Sequence, residues 1–372
     1  MPSKAPEYEG PERINLSGSP REIGVQHGKV LSQKIRNQIA VYTDMFLSTS
    51  GLSWSSVQTL ASEYGKTVSK LTPDLYEEML GIAEGADLDI LDIVALNCRS
   101  EIALGHFSDG CTSLGWDLRK ANATGTSEAV LLAQNWDWTA RVKKNLVLMS
   151  IEQQGKPKIW MVTEAGIVGK IGFNSASVGT NLNAIRAKPT DSSKLPIHVI
   201  LRVCLESASV SAAISKIEDL GGIASSAHIL IADPTGPRSL ELSPKGNVYI
   251  DPNSNGIVCH TNHFIQNRYV NEPPWLAGSP IRLERAQKLT GDLATGPKAV
   301  TGDALRKHVF SDLFNAPQAI CCQEDPTRPV ETRSSTLFCI VMKFQQGHDP
   351  AGEVVWGRPG SGEEGEVLTM PW

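Results

Sequence analysis

The chain has 372 residues, of which 41% are hydrophobic and 20% charged, a balance that supports a buried core and excludes intrinsic disorder. A formal net charge of -5 and a pI near 5.9 exclude the broad basic surface that nucleic acid or anionic lipid requires. The length fits either two domains or one large one.

The first twenty residues hold no apolar core of signal-peptide length, and no run of eighteen apolar residues follows, so a cytoplasmic location is expected. From Pro20 to about Leu104, apolar residues recur at spacings of three and four, which predicts a series of helices. Ser19 and Thr72 each stand before a proline at a first helical position, and Asp89 before the last helical run, as candidate N-caps. After Asp109 the texture changes to short β-rich runs, AVLLAQNWDW, NLVLMSIEQQ, KIWMVTEA, VGKIGFNS and VGTNLNAI, which read as a strand meander. A helical pair follows, LPIHVILRVCLESA and VSAAISKIEDL, then strands at AHILIAD, RSLELS, NVYID and GIVCHTNHF. Further helix is expected at PIRLERAQKL and DALRKHVFSDL, and closing strands at STLFCIVMKF, GEVVWG and EVLTMPW. Strands on both sides of a central helical pair suggest sheets packed face to face with helices outside. Residues 264–279, 316–333 and 357–365 are the loosest stretches.

Seven cysteines, at 98, 111, 204, 259, 321, 322 and 339, show no framework spacing and point to a reducing compartment. In that setting the sequons at Asn15 and Asn122 are chance matches. The string Gly360-Ser361-Gly362-Glu363-Glu364-Gly365 satisfies a dinucleotide fingerprint but precedes a strand, and its two carboxylates would face a pyrophosphate; it reads as a turn. His260 and His263 would point to opposite faces of a strand, and neither they nor Cys321-Cys322 form a metal motif, so no metal is expected.

The sharper feature is Asp109-Gly110-Cys111-Thr112-Ser113, a cysteine behind a glycine where helix gives way to strand. Alone, Cys111 reads more readily as a small buried side chain opening a strand, the commoner fate of a free cysteine. Its company argues for a site: Gln134-Asn135-Trp136-Asp137-Trp138, Thr163-Glu164-Ala165-Gly166, Gly172-Phe173-Asn174-Ser175, Asn181-Leu182-Asn183 and Cys259-His260-Thr261-Asn262-His263 put polar groups into otherwise apolar strands. Such groups are costly to bury unless something satisfies them. Trp136 and Trp138 should share one face of their strand, as packing, with Asp137 on the other.

DGCTS, QNWDW, TEAGIVGKIGFNSASVGTNLNAI, HTNH and TRSSTLF, in this order, resemble the successive motifs of the fungal acyl-coenzyme A:isopenicillin N acyltransferase family, over nearly the whole chain. The resemblance implies an N-terminal nucleophile hydrolase: an α+β protein with a four-layer αββα sandwich, cut by itself between Gly110 and Cys111. A mainly helical segment 1–110 and a β-rich catalytic segment 111–372 would then stay together as a heterodimer in one globular unit. In such a cut the Cys111 thiol attacks the Gly110 carbonyl and water hydrolyses the thioester, glycine permitting a strained turn and a close approach. The freed α-amine, with a reference pKa of about 7.7 to 8.0, can serve as base for the thiol of its own residue. By resemblance Asn262 is the oxyanion donor, Asp137 holds the α-amine, Arg333 pairs with Asp137 or grips a substrate carboxylate, and Ser226 gives structural support.

The implied chemistry is acyl transfer or amide hydrolysis through an S-acyl enzyme on a small amino-acid-derived amide, within fungal secondary metabolism. No cofactor is implied; acyl-coenzyme A and an amine acceptor are the co-substrates of the transfer reading, and neither nucleic acid nor membrane is a partner. Thr332 in place of serine, Leu182 in place of an aromatic, and a Met-Pro-Trp terminus in place of a peroxisomal address depart from the penicillin pattern. Three readings therefore stay open: transferase, hydrolase of β-alanyl-amine type amides, and a non-catalytic, unprocessed relative. A papain-like protease fits less well, because no histidine stands in matching context.

Overall fold

The computed structural model describes residues 10–102, 110–120, 128–273, 278–297, 299–362 and 364–372. Asp109, the sequon at Asn122 and Glu363 lie outside the described residues.

The chain opens on a strand, β1 (Glu12–Ser17), in a stretch for which the sequence predicts no element. Only Ile14 and Leu16 alternate inward there, too short a pattern to stand out. Helix α1 (Pro20–Ser50) follows, with Ser19 and Glu22 forming a reciprocal capping box. Helices α2 (Trp54–Leu71), α3 (Pro73–Ala86), α4 (Ile90–Asn97) and α5 (Arg99–Ile102) complete the helical segment. Asp89 caps α4 through the Leu91 N–H, at 2.7 Å. Thr72 does not cap α3; its hydroxyl turns back to the Val68 carbonyl at 3.1 Å and closes α2 instead.

Helices α1 and α3 touch backbone to backbone. A Cβ on Gly28 would lie 2.2 Å from the Ile82 carbonyl oxygen, and one on Gly85 would lie 2.3 Å from that of Val25. No side-chain rotation relieves such an overlap, so Gly28→Val is expected to cost about 3 kcal/mol or more, visible as a lowered Tm with the sheets' near-ultraviolet signature retained at low temperature.

The strands that follow do not form one meander. β2 (Gly110–Asp117) and β3 (Ala129–Trp138) belong to one sheet, whereas β4 (Leu146–Glu152), β5 (Ile159–Glu164), β6 (Ile171–Asn174), β7 (Gly179–Ala184), β8 (Ala227–Asp233), β9 (Gly236–Leu242) and β10 (Val248–Ile250) form the other, with β1 parallel to β4 at its edge. Helices α6 (Ile197–Leu205) and α7 (Val210–Asp219) interrupt this second sheet and pack on it. β11 (Ile257–His260) returns the chain to β2, helix α8 (Gly278–Thr295) covers that sheet, and α9 (Gly302–Leu305) runs into a wide turn. β12 (Ser335–Gln345), β13 (Ala351–Trp356) and β14 (Val367–Met370) finish it, in the order β11-β2-β3-β12-β13-β14. In the stretch 360–365, Glu364 accepts the Gly360 and Gly362 N–H groups, so the residues read as a turn do form one.

The two sheets face one another with helices on each outer side, an αββα sandwich. Several polar strand residues are explained by that packing. Gln134 donates to the Leu182 carbonyl at 2.5 Å and Asn181 to that of Ala133 at 2.9 Å, each bridging the sheets. Asn135 ties β3 outward to the carbonyls of Phe310 and Ile320. Asn174 accepts the Ala176 and Val178 N–H groups of its own turn and donates to the Leu205 and Ser207 carbonyls at the end of α6. The amide nitrogens of these side chains are satisfied by backbone carbonyls and hold the layers together, although the side-chain oxygens of Asn135 and Asn181 have no partner among the described residues. No helix among the described residues is long and apolar enough to cross a membrane.

Candidate active site

Cys111 is the second residue of β2, a strand flanked by β3 and β11, and only 3% of it is exposed. Its register partner on β3 is Trp136, and alternation places both side chains on the inner face, toward the second sheet. None of the seven cysteines is in a disulfide.

The Cys111 peptide is held from three directions. The β11 ladder ends at the pair His260↔Ser113, so no strand backbone faces Cys111 on that side. The Asn262 side chain takes that place, its Oδ1 accepting the Cys111 N–H at 2.7 Å. The Cys111 carbonyl accepts from Asn183 Nδ2 at 2.9 Å, reaching across from β7, and from Arg282 Nη1 at 2.6 Å, reaching in from α8. Arg282 Nη2 also donates to Asn262 Oδ1 at 2.9 Å, and Asn262 Nδ2 donates to the Ala184 carbonyl at 3.0 Å. Guanidinium can only donate and a carbonyl can only accept, so these partners fix the Asn262 amide orientation. The oxygen of Asn262, rather than its amide nitrogen, faces the Cys111 nitrogen.

Beneath this clamp lies a buried polar layer. Asn183 Oδ1 accepts from Ser113 Oγ at 2.6 Å and from His228 Nδ1 at 2.8 Å, and His228 Nε2 meets Ser239 Oγ at 2.8 Å. His228 stacks on His260 with ring centroids 3.5 Å apart; burial, then the neighbouring imidazole, holds its pKa well below the usual histidine range. Glu241 accepts His260 Nε2 at 2.9 Å and the N–H groups of Ile265, Gln266 and Asn267. Burial pushes its carboxyl up, and these donors more than offset it, leaving the group below its ordinary value. The loop after Asn262, one of the loose stretches in the sequence, is thereby pinned.

Asp137 stands opposite Gly110 at the end of β3, on the outer face, with Thr336 Oγ1 donating to its Oδ1 at 2.6 Å. A Cβ on Gly110 would lie 3.0 Å from Asp137 Oδ2. Gly110 opens a strand and has no left-handed φ, and a side chain there would crowd the Asp137 carboxylate. Arg333 does not turn to Asp137: its Nε and Nη2 donate instead to the Arg328 and Pro326 carbonyls of the preceding loop, each at 2.8 Å. It lines a cleft with Met45, Trp138, Thr139 and its neighbours 331–334. Ser226 is buried beside β8, and its hydroxyl has no hydrogen-bond partner among the described residues. Trp136 and Trp138 stack side by side at 6.4 Å on the inner face, opposite to Asp137.

On the inner side of Trp136 sits a charge cluster of which the sequence singles out only Glu164. Lys170 Nζ lies 4.0 Å from the centroid of the Trp136 ring and donates to Glu164, both side chains being wholly buried. Glu164 also accepts Arg99 Nη2 at 2.6 Å, Gln38 Nε2 at 2.6 Å and Tyr42 OH at 2.5 Å, and Tyr42 in turn accepts the Trp138 indole N–H at 3.1 Å. Burial pushes the Glu164 carboxyl up, but Arg99 and Lys170 together hold it below its ordinary value. Arg282 is likewise absent from the residues expected at the site, although its helix carries a signal: Ser279, Arg282, Leu283, Ala286 and Thr290 share the buried stripe of α8, so helical spacing puts Arg282 against the sheet.

An αββα sandwich is the architecture of the N-terminal nucleophile hydrolases, and here a buried cysteine stands at the head of a central strand. The chain belongs to the acyl-coenzyme A:6-aminopenicillanic acid acyltransferase family, whose model, described as "Acyl-coenzyme A:6-aminopenicillanic acid acyl-transferase", matches residues 123–351. The chain is 34% identical over 364 residues to the 40 kDa form of acyl-coenzyme A:6-aminopenicillanic-acid acyltransferase of Emericella nidulans, covering 96% of each. Among solved structures, penicillin V acylase from Agrobacterium tumefaciens matches with a TM-score of 0.39 and 18% identity, over 66% of this chain and 83% of that one.

Proposed function

We propose that this chain cuts itself between Gly110 and Cys111 and then uses Cys111 as an N-terminal nucleophile to form or cleave the amide of a small amino-acid-derived metabolite. The observation that carries the reading is the clamp on the Cys111 peptide by Asn262, Asn183 and Arg282. A nitrogen held by a side-chain oxygen keeps that partner when it becomes an amine, and its lone pair can then serve the thiol of the same residue.

In the first step the thiol attacks the Gly110 carbonyl, and water hydrolyses the resulting thioester. The new Gly110 carboxylate then forms beside Asp137, where like charge favours its departure, while the new α-ammonium is attracted to the same side chain. In turnover, Cys111 takes the acyl group from an amide or from acyl-coenzyme A and passes it to an amine or to water. The amide hydrogen of Asn262 that is not engaged by Ala184 can serve the developing oxyanion, a contribution of about 3 to 4 kcal/mol for one well-placed donor. Arg333, which lines a cleft with Trp138, is the candidate to meet a substrate carboxylate. The fungal relative favours a role in secondary metabolism.

Denaturing electrophoresis with intact mass and N-terminal sequencing tests the first step: fragments 1–110 and 111–372 are expected, the second beginning Cys-Thr-Ser. The second step is tested by amide release with and without an added amine and acyl-coenzyme A. An acylated amine supports transfer, and release to water alone leaves a hydrolase. A single uncut, inactive chain sinks the reading.

A further inference from the structure

The α-amine that serves as base in turnover does not exist until the chain is cut, since the Cys111 nitrogen is an amide in the intact chain. The first attack needs another proton acceptor. We propose that Lys170 is that acceptor: it takes the Cys111 thiol proton for self-cleavage and returns it to the departing Cys111 nitrogen, an inference that rests on Cys111 being the nucleophile.

Lys170 reaches across from the second sheet, just before β6, and its ammonium lies over Trp136, the register partner of Cys111 on the same inner face. Directly paired residues of an antiparallel ladder stand about 5 Å apart, so the ammonium lies on the inner face beside the strand position of the thiol. Lys170 is also buried with a single carboxylate shared between two cations, because Arg99 occupies Glu164 as well. Burial, offset by Glu164 and worsened by Arg99, lowers its pKa to about 8, with Cys111 among the groups that act on it. A lysine so lowered is neutral for a substantial fraction of the time near neutral pH, as a general base must be.

The other groups facing Lys170 do not compete. His198 Nε2 is occupied by Arg99 and its Nδ1 by the Gly169 carbonyl at 3.0 Å, and burial with the two cations keeps the ring neutral. Tyr42 OH is donated to Glu164, and burial raises its pKa well above the usual value. Glu164 is held ionised by Arg99 and Lys170.

Neutral Lys170 accepts the Sγ proton, and Sγ bonds to the Gly110 carbonyl carbon. The tetrahedral adduct expels the Cys111 nitrogen, which takes the proton back from Lys170 as the C–N bond breaks. Water then cleaves the thioester, leaving a Gly110 carboxylate, the thiol and a free α-amine, with Lys170 unchanged.

The test is the rate of self-cleavage after cell-free synthesis at low pH and a jump to pH 6 to 9.5, in the unmodified chain, Lys170→Met and Lys170→Arg. Lys170→Met leaves Glu164 paired with Arg99, and Lys170→Arg keeps the charge but cannot give up its proton. Thermal melts establish which variants fold. The unmodified rate should rise with pH and level off near 8; both variants should cut about a hundredfold more slowly, the size expected of a general base, and lose that limb. If either folded variant cuts within twofold of the unmodified chain with the same pH profile, Lys170 is not the base. An unmodified chain that is never cut refutes the nucleophile reading itself, a separate outcome.

Discussion

Cys111→Ala is expected to remain one 372-residue chain and to release no amide at any pH, while melting close to the unmodified protein. Removing the sulfur takes one buried atom from a packed site, a loss of about 1 kcal/mol, whereas under the proposed function it removes the nucleophile from both self-cleavage and turnover. Cys111→Ser separates the two steps. A hydroxyl is a far poorer nucleophile than a thiol near neutral pH, because so little of it is ionised and the lysine that serves a thiol is mismatched to an alcohol. Slow cutting with trace turnover is therefore expected for serine, and fragments whose larger member begins Ser-Thr-Ser. The measurement is intact mass over time, followed by amide release on the purified chains. Cutting at the same bond in Cys111→Ala would place the nucleophile elsewhere and dissolve the roles given to Asn262 and Asn183.

Much of this site is legible in the order of residues along the chain. Glycine before cysteine at a helix-to-strand transition singles out Cys111 as a candidate, whereas Asn262 stands out only through the family resemblance of HTNH; the structure joins the two at 2.7 Å. What is not legible depends on the second sheet. Gln134 and Asn181 look like site residues in the sequence, yet they bridge the sheets through backbone carbonyls. Lys170 looks like a lysine at the start of a strand, which ordinarily reaches solvent. It is buried because Glu164 and the Trp136 ring wait on the inner face, and that pairing joins β3, β5 and β6 across the sandwich. The division of the strands between two sheets is likewise invisible locally. β3 and β4 are consecutive, but the turn after Trp138 sends the chain to the opposite layer.

The helical segment also proves to be part of the site, which its sequence gives no cause to expect. Gln38, Tyr42 and Arg99 all bind Glu164, a residue of the larger segment. If the chain is cut at Gly110, these bonds cross between the fragments, and together with β1 in the larger segment's sheet they account for the fragments remaining associated. Removing one partner from a buried ion cluster typically costs about 3 to 5 kcal/mol, so the association is anchored at the site itself.

Arg282→Met is expected to lower kcat about a thousandfold with little change in KM. One guanidinium sets three things at once: it holds the Cys111 carbonyl, it binds Thr112 Oγ1 at 3.1 Å, and it fixes which end of the Asn262 amide faces the nucleophile. Methionine fills a similar volume on the buried stripe of α8 but donates nothing, so the Cys111 peptide keeps only Asn183 as carbonyl partner and Asn262 becomes able to turn over. A displacement of about 1 Å at a reacting group can cost a hundredfold, and a misdirected oxyanion donor costs a further ten- to a hundredfold or more. Neither effect touches the cleft lined by Arg333 and Trp138, which is why KM should hold. Arg282→Lys should recover part of the loss, since an ammonium can reach the carbonyl or the amide oxygen but not both in the fixed fork of arginine. Steady-state kinetics on the processed enzymes, with melting curves for each, gives the answer. A thousandfold rise in KM at unchanged kcat would mean that Arg282 binds substrate and that the Cys111 peptide is fixed by its strand neighbours alone.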